Sequence, residues 1–172
     1  MSSVLGHVIG TVALLAMLFT IVPFITTFGV IMVRSIVKHQ LIQVASLASS
    51  KVLEAYRLAQ RSNVDKMLFV LRLDIPEYVT STGYYIELFK DSEGFKVKVT
   101  SEKSPHVYAE VVIPISPHVD NVIFKTAEDT IQLNSMMIIR VSKLHSGVKY
   151  PVIWCMKDGN FIYLGLGILK RT

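Results

Sequence analysis

The stretch VIGTVALLAMLFTIVPFITTFGVIMV, residues Val8 to Val33, carries no charged side chain, and Arg34 closes it. At about 1.5 Å of rise per residue, its roughly 26 residues make about 39 Å of helix. That exceeds the roughly 30 Å of a bilayer's hydrocarbon core. A helix apolar on every face belongs in lipid or among other apolar helices. Pro23 lies near its middle, where it removes one backbone hydrogen bond and crowds the preceding turn. A kink is expected there, with Thr20, Thr26 and Thr27 close enough to bond freed carbonyls. Gly6 and Gly10 form a Gly-xxx-Gly pair, which permits close helix approach but is common by chance.

The helix is expected to continue past Arg34. From Ser35 to Gln60 there is neither Gly nor Pro, and Leu41, Val44, Ala48, Val52, Ala55 and Ala59 recur at helical spacing. Arg34, Lys38, Gln40, Gln43, Ser49, Ser50 and Arg57 fall mainly off that stripe. Its small side chains allow a close neighbour, either the chain's own head or other copies of the chain. Ser62-Asn63 reads as the end. The expected organisation is an N-terminal helix over 1–62, comprising the apolar segment 8–33 and an amphipathic extension 34–62, followed by a head over 63–172.

From Met67 onward the apolar period changes from 3.6 to 2. Phe95, Val97 and Val99 alternate with Lys96, Lys98 and Thr100; Val107, Ala109, Val111 and Ile113 alternate with Tyr108 and Glu110. Such alternation predicts half-buried antiparallel strands. The expected strands are 67–75, 84–90, 94–100, 106–114, 121–125, 129–134, 136–144, 148–157 and 160–169. Lys157-Asp158-Gly159-Asn160 predicts a type I′ hairpin turn on Asp-Gly, and Asp91–Gly94 and His145–Gly147 predict similar turns. The last strand is apolar on both faces, which suits a central position, and Gly165 and Gly167 leave room there for a close neighbour. The fold class is α+β: a long N-terminal helix followed by an antiparallel, sandwich-like β head.

Net charge is +5, from 18 Lys and Arg against 13 Asp and Glu, without a basic stripe interleaved with aromatics, so nucleic acid is not an expected partner. Cys155 is the only cysteine, which excludes an intrachain disulfide, and its apolar surroundings predict a buried, inert thiol. His118-Val-Asp120 offers one His and one carboxylate, too few for a metal site. No paired general acids, serine elbow or Gly-rich phosphate loop is present. The chain is read as non-enzymatic, with no catalytic residues, cofactor or metal.

An uncharged apolar helix that runs into an amphipathic helix and then an all-β head resembles the layout of the archaeal type IV pilin-like superfamily. That superfamily includes pilins, archaellum filament proteins and single-span archaellum accessory proteins. Leu73–Pro76, Gly83-Tyr84-Tyr85-Ile86-Glu87-Leu88 and the strand Ala109–Pro114 resemble motifs of archaeal surface proteins with such heads. The resemblance implies a structural subunit of a cell-surface filament, with self as partner through Val12, Leu15, Phe19, Pro23, Phe28, Leu41, Val44, Ala48, Val52, Ala55 and Ala59. The alternative is a single-span, membrane-anchored β module that binds surface-layer or other filament proteins. Tyr78, Tyr84, Tyr85 and Tyr108 are the candidate contact surface of the head. A viral membrane protein fits the same layout. Prepilins of this kind usually open with a basic leader, whereas here no Lys or Arg precedes residue 34. Either a leader has been removed or the span is uncleaved. The resemblance implies an extracellular head at the cell membrane and surface, while Arg34, Lys38 and His39 after the span leave a cytoplasmic head open.

Overall fold

The computed structural model describes residues 2–125, 129–133 and 136–171. Helix α1 spans Ser2–Arg61 and passes Pro23 as one element. Thr20 Oγ1 donates to the Met17 carbonyl at 2.8 Å and Thr26 Oγ1 to the Pro23 carbonyl at 2.9 Å. These hydroxyls serve the turns on either side of Phe19, the residue whose carbonyl loses its partner to the proline ring.

The chain forms two compact units, residues 1–36 and 37–172. The boundary therefore falls inside α1, at Val37, and not at residue 63. The reason is burial: Leu41, Val44, Ala45, Ala48, Val52, Ala55 and Ala59 all lie in the core of the second unit. Of the two neighbours open to the small-residue stripe, the chain's own head is the one that covers it.

Among the described residues the head has ten strands: β1 (Lys66–Arg72), β2 (Tyr84–Asp91), β3 (Gly94–Ser101), β4 (Tyr108–Val112), β5 (Val122–Phe124), β6 (Thr130–Leu133), β7 (Met136–Val141), β8 (Lys143–His145), β9 (Pro151–Asp158) and β10 (Phe161–Arg171). They make a six-stranded sheet, β1-β9-β10-β7-β6 with β5 also on β10, and a four-stranded sheet, β4-β3-β2-β8. Ile86, Leu88, Val97 and Val99 of the smaller sheet and Ile153, Cys155, Leu164 and Leu166 of the larger share one core with the helix stripe. The Phe95 and Phe124 rings meet edge-on in it at 5.1 Å. Among the described residues, the strand pairings are antiparallel except β5 with β10, a three-residue parallel pair that the alternation did not anticipate.

Three expectations need correction. The stretch 136–144 is not one strand: β7 pairs with β10 in one sheet and β8 with β2 in the other, so the chain changes sheets at Ser142. Consequently His145–Gly147 is a crossing between sheets and not a tight hairpin. The β9–β10 turn is displaced by one residue, since Asp158 pairs with Phe161 and leaves Gly159-Asn160 as the loop. Only Gly159 has positive φ there (58°), the sign pattern of a type II′ turn, which wants Gly first. The expected strand 129–134 ends on residue 134, which lies outside the described residues.

Gly165 and Gly167 are explained by Trp154, the one tryptophan. A Cβ on Gly165 would lie 2.5 Å from the indole, and one on Gly167 2.7 Å from Ile138. The indole is fully buried on the face of the larger sheet away from the helix, with Ile138 and Val152. Its Nε1 donates to the Leu166 carbonyl at 3.0 Å, and the Arg140 guanidinium stands 5.4 Å from the ring. Arg140 in turn is paired with Asp129. The Thr130 amide first, and then Arg140, hold the Asp129 carboxyl below its ordinary value.

Candidate functional site

Two surfaces carry the residues singled out from the sequence. The first is the apolar half of α1. Val12, Leu15, Phe19 and Phe28 are exposed, Phe19 to 73 %, and so are their neighbours on every face of the helix. Pro23 is exposed as well. α1 is long and apolar enough over Gly6–Arg61 to cross a membrane, and its most apolar window is wholly unburied. Gly6, Gly10 and Gly29 have open space around them. The remaining residues expected in an assembly contact, Leu41, Val44, Ala48, Val52, Ala55 and Ala59, are interior to the head and present nothing to another copy. Ser49 marks one place where helix and sheet meet, its Oγ donating to the Val112 carbonyl at 3.3 Å.

The second surface is that of the tyrosines, which the fold separates. Tyr84 is a correction: it is fully buried, with its hydroxyl donating to the Pro76 carbonyl, and burial pushes its phenol above the ordinary value. The period of two puts it with Ile86 and Leu88 on the inner face of β2, so the alternation already held that information. Tyr85 and Tyr108 point to the other face of the smaller sheet, and both register with Thr100 between them. Each is capped by a lysine: Lys143 Nζ is 4.9 Å from the Tyr85 ring and Lys98 Nζ is 4.5 Å from the Tyr108 ring. The same lysines pair with carboxylates, Lys143 with Glu87 at 2.9 Å and Lys98 with Glu110 at 3.2 Å. Glu87 raises the pKa of Lys143. This face is an alternation of paired charges and lysine-contacted rings, with Tyr108 still 45 % exposed. Tyr78, by contrast, stands 62 % exposed on the loop before β2.

The sequence reading missed what surrounds Tyr78. Thr80 and Ser81 both have left-handed backbone, φ 48° and 61°, and Val79 and Thr82 exchange two backbone hydrogen bonds of 2.9 Å across them. Such a turn ordinarily uses Asn-Gly; with Thr-Ser there was no turn signal to read. Thr80 Oγ1 donates to Gln40 Oε1 of α1 at 2.6 Å. Tyr150 is likewise left-handed (φ 59°) and 57 % exposed. It lines two neighbouring clefts. One, of about 320 Å³, is bounded by Asp74, Glu77, His145, Lys149 and Tyr150 among others. The other, of about 670 Å³, is bounded by Met136, Val148, Lys149, Tyr150, Ile168, Leu169 and Lys170.

Among the described residues, no group of three or more His, Cys, Asp or Glu side chains is placed to hold a metal ion. Cys155 is buried, and burial pushes its thiol up to about 12, which makes it a poor nucleophile at neutral pH. His145 Nδ1 contacts Glu102 Oε1 at 2.7 Å. No protein-family model matches the chain, and neither a characterised protein nor a solved structure matches it. What the chain presents is an α+β protein with one membrane-competent helix and a β head.

Proposed function

We propose that this chain is a single-span membrane protein, in which the helix half 8–33 holds a β head at a membrane surface and the head serves as a binding module. The observation that carries this reading is the exposure of a charge-free helix of about 39 Å on all its faces. Each large apolar side chain moved from water into hydrocarbon contributes about 1.5–3 kcal/mol. Summed over the segment, that is far more than a folded head of this size needs to stay at a membrane.

Assembly into an archaeal type IV pilus-like filament is the second reading. It is favoured by the open surroundings of Gly6, Gly10 and Gly29, where a sister helix can approach closely, and by an apolar length beyond the bilayer's need. The contact would be confined to residues 8–33, because the Ala-rich half of the helix is spent inside the head.

The test is expression of the full chain in cells, followed by alkaline washing of the membranes and electron microscopy of the purified protein. Retention in washed membranes, with detergent-solubilised particles that stay discrete, supports the anchored module. Long fibres support the filament. Release of unaggregated protein into the alkaline wash sinks both.

A further inference from the structure

Most lysines of the head have a partner. Lys66, Lys96, Lys98 and Lys143 are ion-paired, Lys90 and Lys125 lie over aromatic rings, and Lys157 donates to the Ser62 carbonyl. Among the described residues, the ammoniums of Lys149 and Lys170 have none of these, and nor does that of Lys103 on the loop after β3. Lys149 and Lys170 differ from Lys103 in where they stand, because both line the cleft of about 670 Å³. The other described residues of its lining are Met136, Val148, Tyr150, Ile168 and Leu169. The lining therefore combines five apolar or aromatic side chains with two ammoniums and, among the described residues, no carboxylate.

The cleft arises where β10 outruns β9. Their pairing ends at Ile168 with Pro151, and β10 continues beside the loop that carries Tyr150. Leu169 packs toward the Trp154 cluster and Ile168 toward the main core, so this end of β10 offers an apolar side chain on each face. Tyr150 has left-handed backbone (φ 59°), which is costly for an L-residue, and the following proline drives its predecessor toward extended backbone. Leu169 N donates to the Tyr150 carbonyl at 3.0 Å and Leu73 N to the Pro151 carbonyl at 2.9 Å, and these bonds hold the loop in place. Strain of this kind persists where the surrounding fold imposes it, and it gathers at ligand clamps. Here it fixes an exposed ring on the cleft wall next to Lys149.

The volume falls within the range of ligand sites, about 300–1,000 Å³, which pair apolar walls with a few polar groups that fix orientation. Charge complementarity singles out the occupant. Two ammoniums without a carboxylate call for an anion, and lysine, a point charge without arginine's planar fork, does not demand a bidentate one. The apolar walls call for a hydrocarbon body, since a polar ligand would leave its own groups unpaired against them.

We propose that the cleft at the end of β10 binds an amphipathic anion, a hydrocarbon chain ending in a carboxylate or phosphate. Lys149 and Lys170 hold the head group, and the chain lies against Val148, Leu169 and the Tyr150 ring. The inference rests on the reading of the head as a binding module and gives that module a ligand. Every lining residue named lies within 37–172, so the site does not depend on whether residues 8–33 cross a membrane.

The test is photolabelling of the full chain, in phosphatidylcholine nanodiscs, with a dodecanoate that carries a diazirine on its alkyl chain, followed by peptide mapping. Probe dissolved in the bilayer marks residues 8–33 of a spanning helix, and probe in the cleft marks 148–150 and 168–170. Cleft labelling should saturate, and the methyl ester of the same probe should not produce it. Lys149→Gln and Lys170→Gln should each raise the half-saturating concentration roughly tenfold, equal to about 1.4 kcal/mol. Lys149→Arg and Lys103→Gln should leave it unchanged. Both cleft lysines are exposed, where substitutions leave the fold intact. Unlabelled dodecanoate and dioctanoyl phosphatidic acid then compete with the probe, and the one effective at lower concentration identifies the head group as carboxylate or phosphate. Displacement by neither, equal cleft labelling by the methyl ester, or glutamine variants that bind like the parent overturns the site. Labelling of 8–33 without the cleft overturns this inference and leaves the membrane span standing. Saturable cleft labelling without 8–33 upholds the inference and removes the span.

Discussion

Trp154 and Gly165 are a matched pair: the indole occupies the space a side chain at 165 would need. Gly165→Ala forces the ring or β10 to move, and overpacking of this kind costs about 1–3 kcal/mol. The expected outcome is a lower urea midpoint together with altered fluorescence, which reports this site because Trp154 is the only tryptophan. A second residue-scale case is Lys96, buried to 8 % exposure and held by Asp91 at 2.8 Å and by Glu93. The Lys96 ammonium, with the amides of Glu93 and Gly94, holds the Asp91 carboxyl below its ordinary value. A carboxyl lowered in the folded state stabilises above its unfolded pKa of about 3.9 and loses that contribution as pH falls through the folded value. The urea midpoint of Asp91→Asn should therefore lie below that of the parent near neutral pH, and the gap should close below about pH 4.

At the scale of elements, α1 is two helices in physical terms. Its first half is apolar all round and its second half is amphipathic, with one stripe that fits between strands only because it is built of alanine, valine and leucine. Ala48 is fully buried in that stripe. Ala48→Leu adds volume where none is free, and a loss of about 1–3 kcal/mol is expected, read as a lower urea midpoint in detergent. If Ala48 instead faced other copies, the same substitution would alter association and leave the midpoint unchanged. Among the strands, β3 shows why charge alternation does not always mean a wet face: Lys96 and Thr100 are buried beside Val97 and Val99. Lys96 meets this through its carboxylates.

For the whole molecule, the unit that folds as one body runs from Val37, and the larger part of its core is closed by the helix stripe. A fragment of residues 37–172 should be monomeric and soluble in detergent-free buffer, with the far-ultraviolet dichroism of a helix plus strands. A fragment of residues 63–172 should aggregate, because removing Leu41 through Ala59 exposes Ile86, Val97, Cys155 and Leu164 to water. Size-exclusion chromatography of the two fragments checks this; a soluble, well-folded 63–172 would show that the helix only decorates the head.

The apolar run, the long helix and the strand positions were legible in the chain, because each rests on local periodicity: 3.6 in α1, 2 in the strands, and lack of charge over Val8–Val33. Parity even placed Tyr84 inward, although its tyrosine identity suggested a surface role. What the chain left open were non-local choices. That the Ala stripe meets its own sheets, that residues 136–145 divide between two sheets at Ser142, and that Gly165 and Gly167 make room for Trp154 all depend on partners distant in sequence. The Thr80-Ser81 turn was illegible for another reason: its left-handed backbone is imposed by Gln40 and Thr82 and contradicts the preference of its own residues. Local hydrophobic pattern by itself determined a membrane-competent helix followed by a β head. Only the tertiary structure decided which half of that helix is left for a membrane or a partner, because burial is settled by packing and not by periodicity.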